Sequence, residues 1–171
     1  MPLTLYLMVG YPGSGKTTAS LLIQKLTGAE HIWADHERNT MFAPPTYSHT
    51  ENVALYKALN KKAQDLLHAG KSVIFDTNFN FKKDREKLRA MATEEGAQTV
   101  LLWITTSKDI ARERATKQSH GKETRVWGNM PAARFNHIAG NLQPPGPNER
   151  PIMLQGINLN EQAIAEALRT L

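Results

Sequence analysis

Gly10-Tyr11-Pro12-Gly13-Ser14-Gly15-Lys16-Thr17 is the stretch whose reading decides the fold of this chain. It satisfies the pattern G-x-x-x-x-G-K-[ST] at every fixed position. The glycines let the backbone wrap closely and turn consecutive N–H groups inward, toward phosphate oxygens. A helix opening at Lys16 adds the positive end of its dipole. Lys16 would reach the β- and γ-phosphates of a nucleoside triphosphate, and the Thr17 hydroxyl would hold Mg²⁺. The candidate nucleotide contacts are thus Gly10, Tyr11, Pro12, Gly13, Ser14, Gly15, Lys16, Thr17 and Thr18. A chance glycine turn would lack the flanks seen here, an apolar run before and a helical pattern after.

Working outward, residues 3–9 are apolar and uncharged, as expected of a strand buried on both faces. A helix is predicted over 16–26 and stops near Gly28. A short second strand is predicted at 31–34, then a polar turn or helix opening at Asp35, a loop at 43–46, and a long helix over 51–69 with apolar Val53, Leu55, Leu59, Ala63, Leu66 and Leu67. A third strand at 72–75 ends at Asp76, a charged helix follows over 82–95, and a fourth strand over 99–104. Ser107 is a plausible cap for a helix to about 118, and Met130-Pro131 starts a short one. The proline-rich stretch 143–151 is loop, 152–154 a last strand, and Asn160 caps a final helix. This alternation implies an α/β fold: a P-loop NTPase three-layer sandwich with about five parallel strands and helices on both faces. No linker divides the chain, so 1–171 is expected to form one kinase domain. Ligands in such sheets sit at the C-terminal strand ends, where Gly10, Asp35, Asp76 and Thr105 all fall.

Two carboxylates stand out. Asp76 ends an apolar strand, where an acid can hold the Mg²⁺ shell, usually through water, or simply make a turn. Thr77 and Asn78 lie beside it, within reach of an acceptor. Asp35 could take the proton of an attacking hydroxyl, and Arg38 could clamp an anionic group of the acceptor. On spacing alone, Asp35 as a helix N-cap and Arg38 as a solvated charge is the stronger reading.

Residues 9–18 (VGYPGSGKTT), 33–38 (WADHER) and 73–78 (VIFDTN), with the helix over 106–117, resemble the small P-loop kinases related to the polynucleotide 5′-hydroxyl kinase domain. Zeta-toxin and chloramphenicol phosphotransferase are more distant kin. The resemblance spans residues 3 to about 135. It implies ATP as phosphoryl donor, Mg²⁺, Asp35 as the base and Arg38 on an acceptor phosphate. It further implies a basic lid, here about 112–130, with Arg114 at its first basic position. A second lid cation is expected four residues later, where this chain has Gln118. Lys117 or Arg125 would have to substitute.

The remaining composition is consistent with this. The 171 residues carry a net charge of +5 and no cysteine. That excludes disulfides and thiolate chemistry, favours anionic ligands, and makes a cytoplasmic location the default. No apolar run is long enough to cross a membrane, and the six scattered histidines suggest no metal site. The basic run Lys82, Lys83, Arg85, Lys87 and Arg89, mixed with acids, reads as a solvated helix face with local ion pairs. A nucleic-acid-contacting face is the lesser reading. Trp33 and Trp103 are expected in the core, and Trp127 in local packing of the lid. The expected activity is transfer of the γ-phosphoryl group of ATP to a hydroxyl. A DNA or RNA 5′-hydroxyl leads as acceptor, ahead of a small metabolite, an antibiotic or a nucleotide sugar. A nucleotide switch or slow ATPase acting through a partner is the reading of another class.

Overall fold

In the computed structural model, which describes residues 2–117 and 130–171, β1 (Thr4–Val9) is buried at all six positions. Both of its faces are covered. Leu5, Leu7 and Val9 point to one side, and Tyr6 and Met8 to the other. The elements that follow are α1 (Lys16–Thr27), β2 (Glu30–Trp33), α2 (Ala34–Met41), α3 (His49–His68), β3 (Val73–Asp76) and α4 (Lys82–Glu94). Then come β4 (Gln98–Ile104), α5 (Lys108–Thr116), α6 (Ala132–Gly140), β5 (Ile152–Leu154) and α7 (Glu161–Leu168).

The five strands form one parallel sheet in the order β2-β3-β1-β4-β5. Leu55, Leu59, Ala63 and Leu67 of α3 and Leu88 and Ala92 of α4 cover one face. Ala19 and Ile23 of α1 and Ile164 of α7 cover the other. A smaller cluster, Ala111, Ala115, Phe135 and Ala139, joins α5 to α6, with Tyr11 packed on it. The chain passes from β1 outward to β2, returns through β3, and crosses to β4 on the far side of β1. The crevice of this reversal therefore opens above the C-terminal end of β1, where the glycine loop lies.

Most predicted elements stand within a residue or two of their expected bounds, and Ser48, Ser107 and Asn160 each accept a backbone N–H at the head of a helix. Three expectations need correction. Val53 lies 54% exposed, because it is two residues before buried Leu55 and so on the opposite side of α3. Trp33 is only half-buried and stacks between His31 and His36 at ring separations of 6.0 and 5.9 Å. Trp103 is likewise half-buried, and it borders a small cleft with Tyr11 and Leu142.

The largest departure is Arg85, which is 1% exposed and not on a solvated face. It belongs to the buried stripe of α4 with Leu88 and Ala92. Its Nε and Nη2 donate to Glu149 at 2.7 and 2.9 Å, and Nη1 donates to Phe79 O at 2.8 Å. The charge is tolerated because the fork of donors is met by a carboxylate arriving 64 residues later. Lys82–Glu86 is the surface pair that the helix reading expects. Gln118, Arg125 and Trp127, on which the expectations for the lid turn, lie outside the described residues.

Candidate active site

The glycine loop is shaped by close approaches. A Cβ on Gly13, which has φ 79°, would stand 2.4 Å from Ala111 O, so the loop can lie against α5 only with glycine there. Gly156, after β5, plays a matching part from behind: a Cβ there would stand 2.1 Å from Ser14 O and 2.0 Å from Thr106 Oγ1. Thr106 Oγ1 donates to Ser14 O at 2.7 Å and holds the loop in this curve. Gly156 and Thr106 carry no motif, so a local reading passes over them.

Within the loop, Lys16 Nζ donates to Gly10 O at 3.0 Å and Tyr11 O at 2.8 Å. Burial pulls its ammonium down to about 8, against the raising influence of Asp76 and Asp35. A buried cation resting on carbonyls, with the Ser14 hydroxyl buried and unpartnered among the described residues, fits a cradle for an anion. Thr17 follows at the head of α1. The Thr17 hydroxyl and the Asp76 carboxylate are oxygen donors of the kind that suits a hard cation such as Mg²⁺. Among the described residues no cluster of three or more His, Asp or Glu could hold a metal by itself.

Asp76 ends β3, is buried, and has His31 Nε2 3.1 Å from its Oδ2. His31 was not a sequence candidate. Its signal was the parallel register that sets β2 beside β3. Next to Asp76, the Asn78 side-chain oxygen is buried without a partner among the described residues, and Thr77 Oγ1 is 2.9 Å from Tyr56 OH.

Asp35 is the second residue of α2, whose N-cap is Trp33, so it is not the capping group. It is exposed to solvent at its surface, with Asp76, Lys16, Arg38 and Arg134 near enough to act on its charge. Desolvation there, and then Asp76, raise its carboxyl above the usual carboxylate range, opposed by Lys16, Arg38 and Arg134. Lys16 at the head of α1, Asp35 in the first turn of α2 and Asp76 at the end of β3 act on one another's charge.

Arg38 is buried, not a solvated charge. Its Nη1 donates to Glu51 at 2.5 Å and its Nη2 to Asn52 at 2.7 Å. Burial alone would raise Glu51, but hydrogen bonds from the Thr46 N–H, Arg38 and the Thr46 hydroxyl outweigh it and hold the acid at about 2. Arg114 lies on the opposite side, donating from Nη1 to Gly156 O at 3.3 Å beside the back of the glycine loop. Lys117 is exposed and pairs with Glu113. Arg134, near the start of α6, joins the Asp35 side of the cleft and was missed by sequence reasoning.

The chain belongs to the AAA domain family, a P-loop family with kinase-like members, which it matches over residues 5–145. Uncharacterized proteins of Mycobacterium bovis and Mycobacterium tuberculosis are 25% identical over 164 residues, covering 86% of this chain and 33% of theirs. The chain thus spans about a third of the length of the curated relatives it matches. Among solved structures, Kti12 of Chaetomium thermophilum in complex with ADP-AlF3 superposes with a TM-score of 0.74 at 17% identity, covering 97% of this chain and 96% of that one. A sugar kinase from Janibacter follows at 0.69 and 22%, covering 99% and 94%. The Pnkp1/Rnl/Hen1 RNA repair complex gives 0.66 at 20%, covering 82% of this chain and 44% of that one. These likenesses establish the fold.

Proposed function

We propose that this chain is an ATP-dependent phosphotransferase that moves the γ-phosphoryl group to a hydroxyl, with a polynucleotide 5′-hydroxyl as the leading acceptor. The observation that carries it is that Lys16, Asp76 and Asp35, from three separate segments, stand close enough to act on one another's charge. A loop that only binds nucleotide has no use for a desolvated carboxylate held apart from the cradle.

In this reading Lys16 leaves the carbonyls of Gly10 and Tyr11 and meets the β- and γ-phosphates, joined by backbone N–H groups of the glycine loop and the head of α1. Thr17 and Asp76 would hold Mg²⁺, which when bound would supply neutralisation of phosphate charge. Asp35 orients the acceptor hydroxyl and receives its proton as the oxygen–phosphorus bond forms. The bond to the β-bridging oxygen breaks, and ADP leaves with that electron pair. The raised Asp35 carboxyl suits it to this exchange. Arg38 shapes the acceptor wall through Glu51 and Asn52, and Arg114, beside the loop, closes on the transferring group. The ordered DxxR and DTN pair, the net charge of +5 and the likeness to an RNA repair complex support the polynucleotide acceptor.

The likenesses to a sugar kinase and to Kti12 keep a small hydroxylated metabolite and a slow ATPase acting through a partner as the rivals. Labelled ATP with 5′-hydroxyl DNA and RNA oligonucleotides, sugars and an acceptor-free control separates them. Label entering the oligonucleotide upholds the reading. Label entering only a small alcohol leaves the kinase and removes the polynucleotide. Phosphate release with no labelled acceptor removes both.

A further inference from the structure

The acceptor side of the cleft holds two guanidiniums on one aromatic ring. Arg134 Cζ lies 3.6 Å from the centre of the Tyr47 ring, and Arg38 Cζ lies 4.7 Å from it. Tyr47 holds this place with φ 56°, a backbone region costly for a bulky residue and sustained only where the surroundings impose it. The two arginines differ in what neutralises them. Arg38 is buried, and its charge is met by the buried carboxylate of Glu51. Arg134 is half-buried, and it has no carboxylate ion-pair partner among the described residues.

Among the described residues, the charged groups that act on Asp35 and Glu51 here include Asp76, Lys16, Arg38 and Arg134. In the reading above, Lys16 goes to the nucleotide phosphates, Asp76 to the cation, and Glu51 already has Arg38. Among the described residues, what remains is the Asp35 carboxylate, which receives a hydroxyl proton, and on α6 the Arg134 guanidinium with its planar fork of donors. A guanidinium so placed suits bidentate capture of a compact anion.

We propose that Arg134 is the anion-binding residue of the acceptor site, taking a phosphate carried by the alcohol whose hydroxyl Asp35 receives, with the Tyr47 ring holding the guanidinium in place. This rests on the phosphotransferase reading and narrows its substrate class to phosphorylated alcohols. It assigns to Arg134 the contact that the family resemblance would give to Arg38. A neutral polyol leaves Arg134 facing the cleft unpaired, so the same residue discriminates against it.

Calorimetry in the presence of a non-hydrolysable ATP analogue tests it with two pairs of probes: adenosine 3′-monophosphate against adenosine, and glycerol 3-phosphate against glycerol. The wild-type chain should prefer the phosphorylated member of at least one pair by about 10- to 100-fold, the range for a hydrogen-bonded charge pair. In Arg134→Ala the preference should shrink to within about threefold, with affinity for the ATP analogue unchanged. Arg134→Gln, which keeps the stem and two donors without the charge, should lose most of it too, and Arg134→Lys should retain part. Should the alanine variant not fold, the Gln and Lys variants carry the same comparison. No preference in the wild type for either pair, or full preference surviving in Arg134→Gln, overturns the inference. A retained anion preference with no transfer of labelled phosphate to any acceptor would overturn the phosphotransferase reading and leave the anion site standing.

Discussion

Lys16 concentrates the residue-scale argument. Its ammonium is drawn down to about 8 by burial, and phosphate oxygens replacing the carbonyls of Gly10 and Tyr11 would raise it again. Nucleotide binding above pH 8 should therefore take up a proton. Affinity should weaken as pH rises through that region, and calorimetry in buffers of different ionisation enthalpy should report the uptake. Binding independent of pH between 7 and 10 would mean that Lys16 does not meet the phosphates. Asp35 is separable from this cradle. Asp35→Asn should cut single-turnover transfer by about 10²-fold or more while leaving ATP affinity near wild type. Equal losses in both quantities would place Asp35 on the nucleotide. At this scale the sequence is legible in placement, with Lys16 and Thr17 opening α1 and Asp76 ending β3 as expected. Arg38, Arg134 and Tyr47 come together through separate segments, so their neighbours could not be read locally.

At the scale of elements, α4 illustrates why a charge pattern misleads. Five of its residues or near neighbours are basic, yet Arg85 faces inward and ties α4 to Glu149 and to the backbone of Phe79 and Asn80. That tie supports the segment following Asp76 from behind. Arg85→Leu strands the Glu149 carboxylate and should destabilise the chain by about 3 kcal/mol, near the lower end for breaking a buried pair. Chemical denaturation would measure it, and a loss below about 0.5 kcal/mol would class the pair with surface bridges. The head of α3 gives a second case. Glu51 is held at about 2, below its ordinary 4.5, so its contribution to stability is complete above about pH 4.5 and disappears as pH falls toward 2. Glu51→Gln should flatten the acid limb of the stability profile over that window. An unchanged acid limb would show that the hydrogen bonds to Glu51 add nothing to stability.

Across the whole molecule, part of the positive charge behind the net +5 is met locally by acids. Lys25, Lys61, Lys62, Lys71, Lys82 and Lys117 each sit beside an acid. An oligonucleotide acceptor should therefore be held through few phosphates, and its affinity should fall with salt at a log–log slope of about −1. A slope of −4 or steeper would require a basic path along the chain. The glycine loop, the alternation of apolar strands with amphipathic helices and the acids at strand ends were determined by the sequence itself, because each depends on contacts a few residues apart. Strand order, the inward turn of Arg85 and the meeting of Arg38, Tyr47 and Arg134 beside Asp35 were decided only by tertiary structure. Those pairings join segments far apart in the chain, and no local periodicity records which distant partner will neutralise a buried charge.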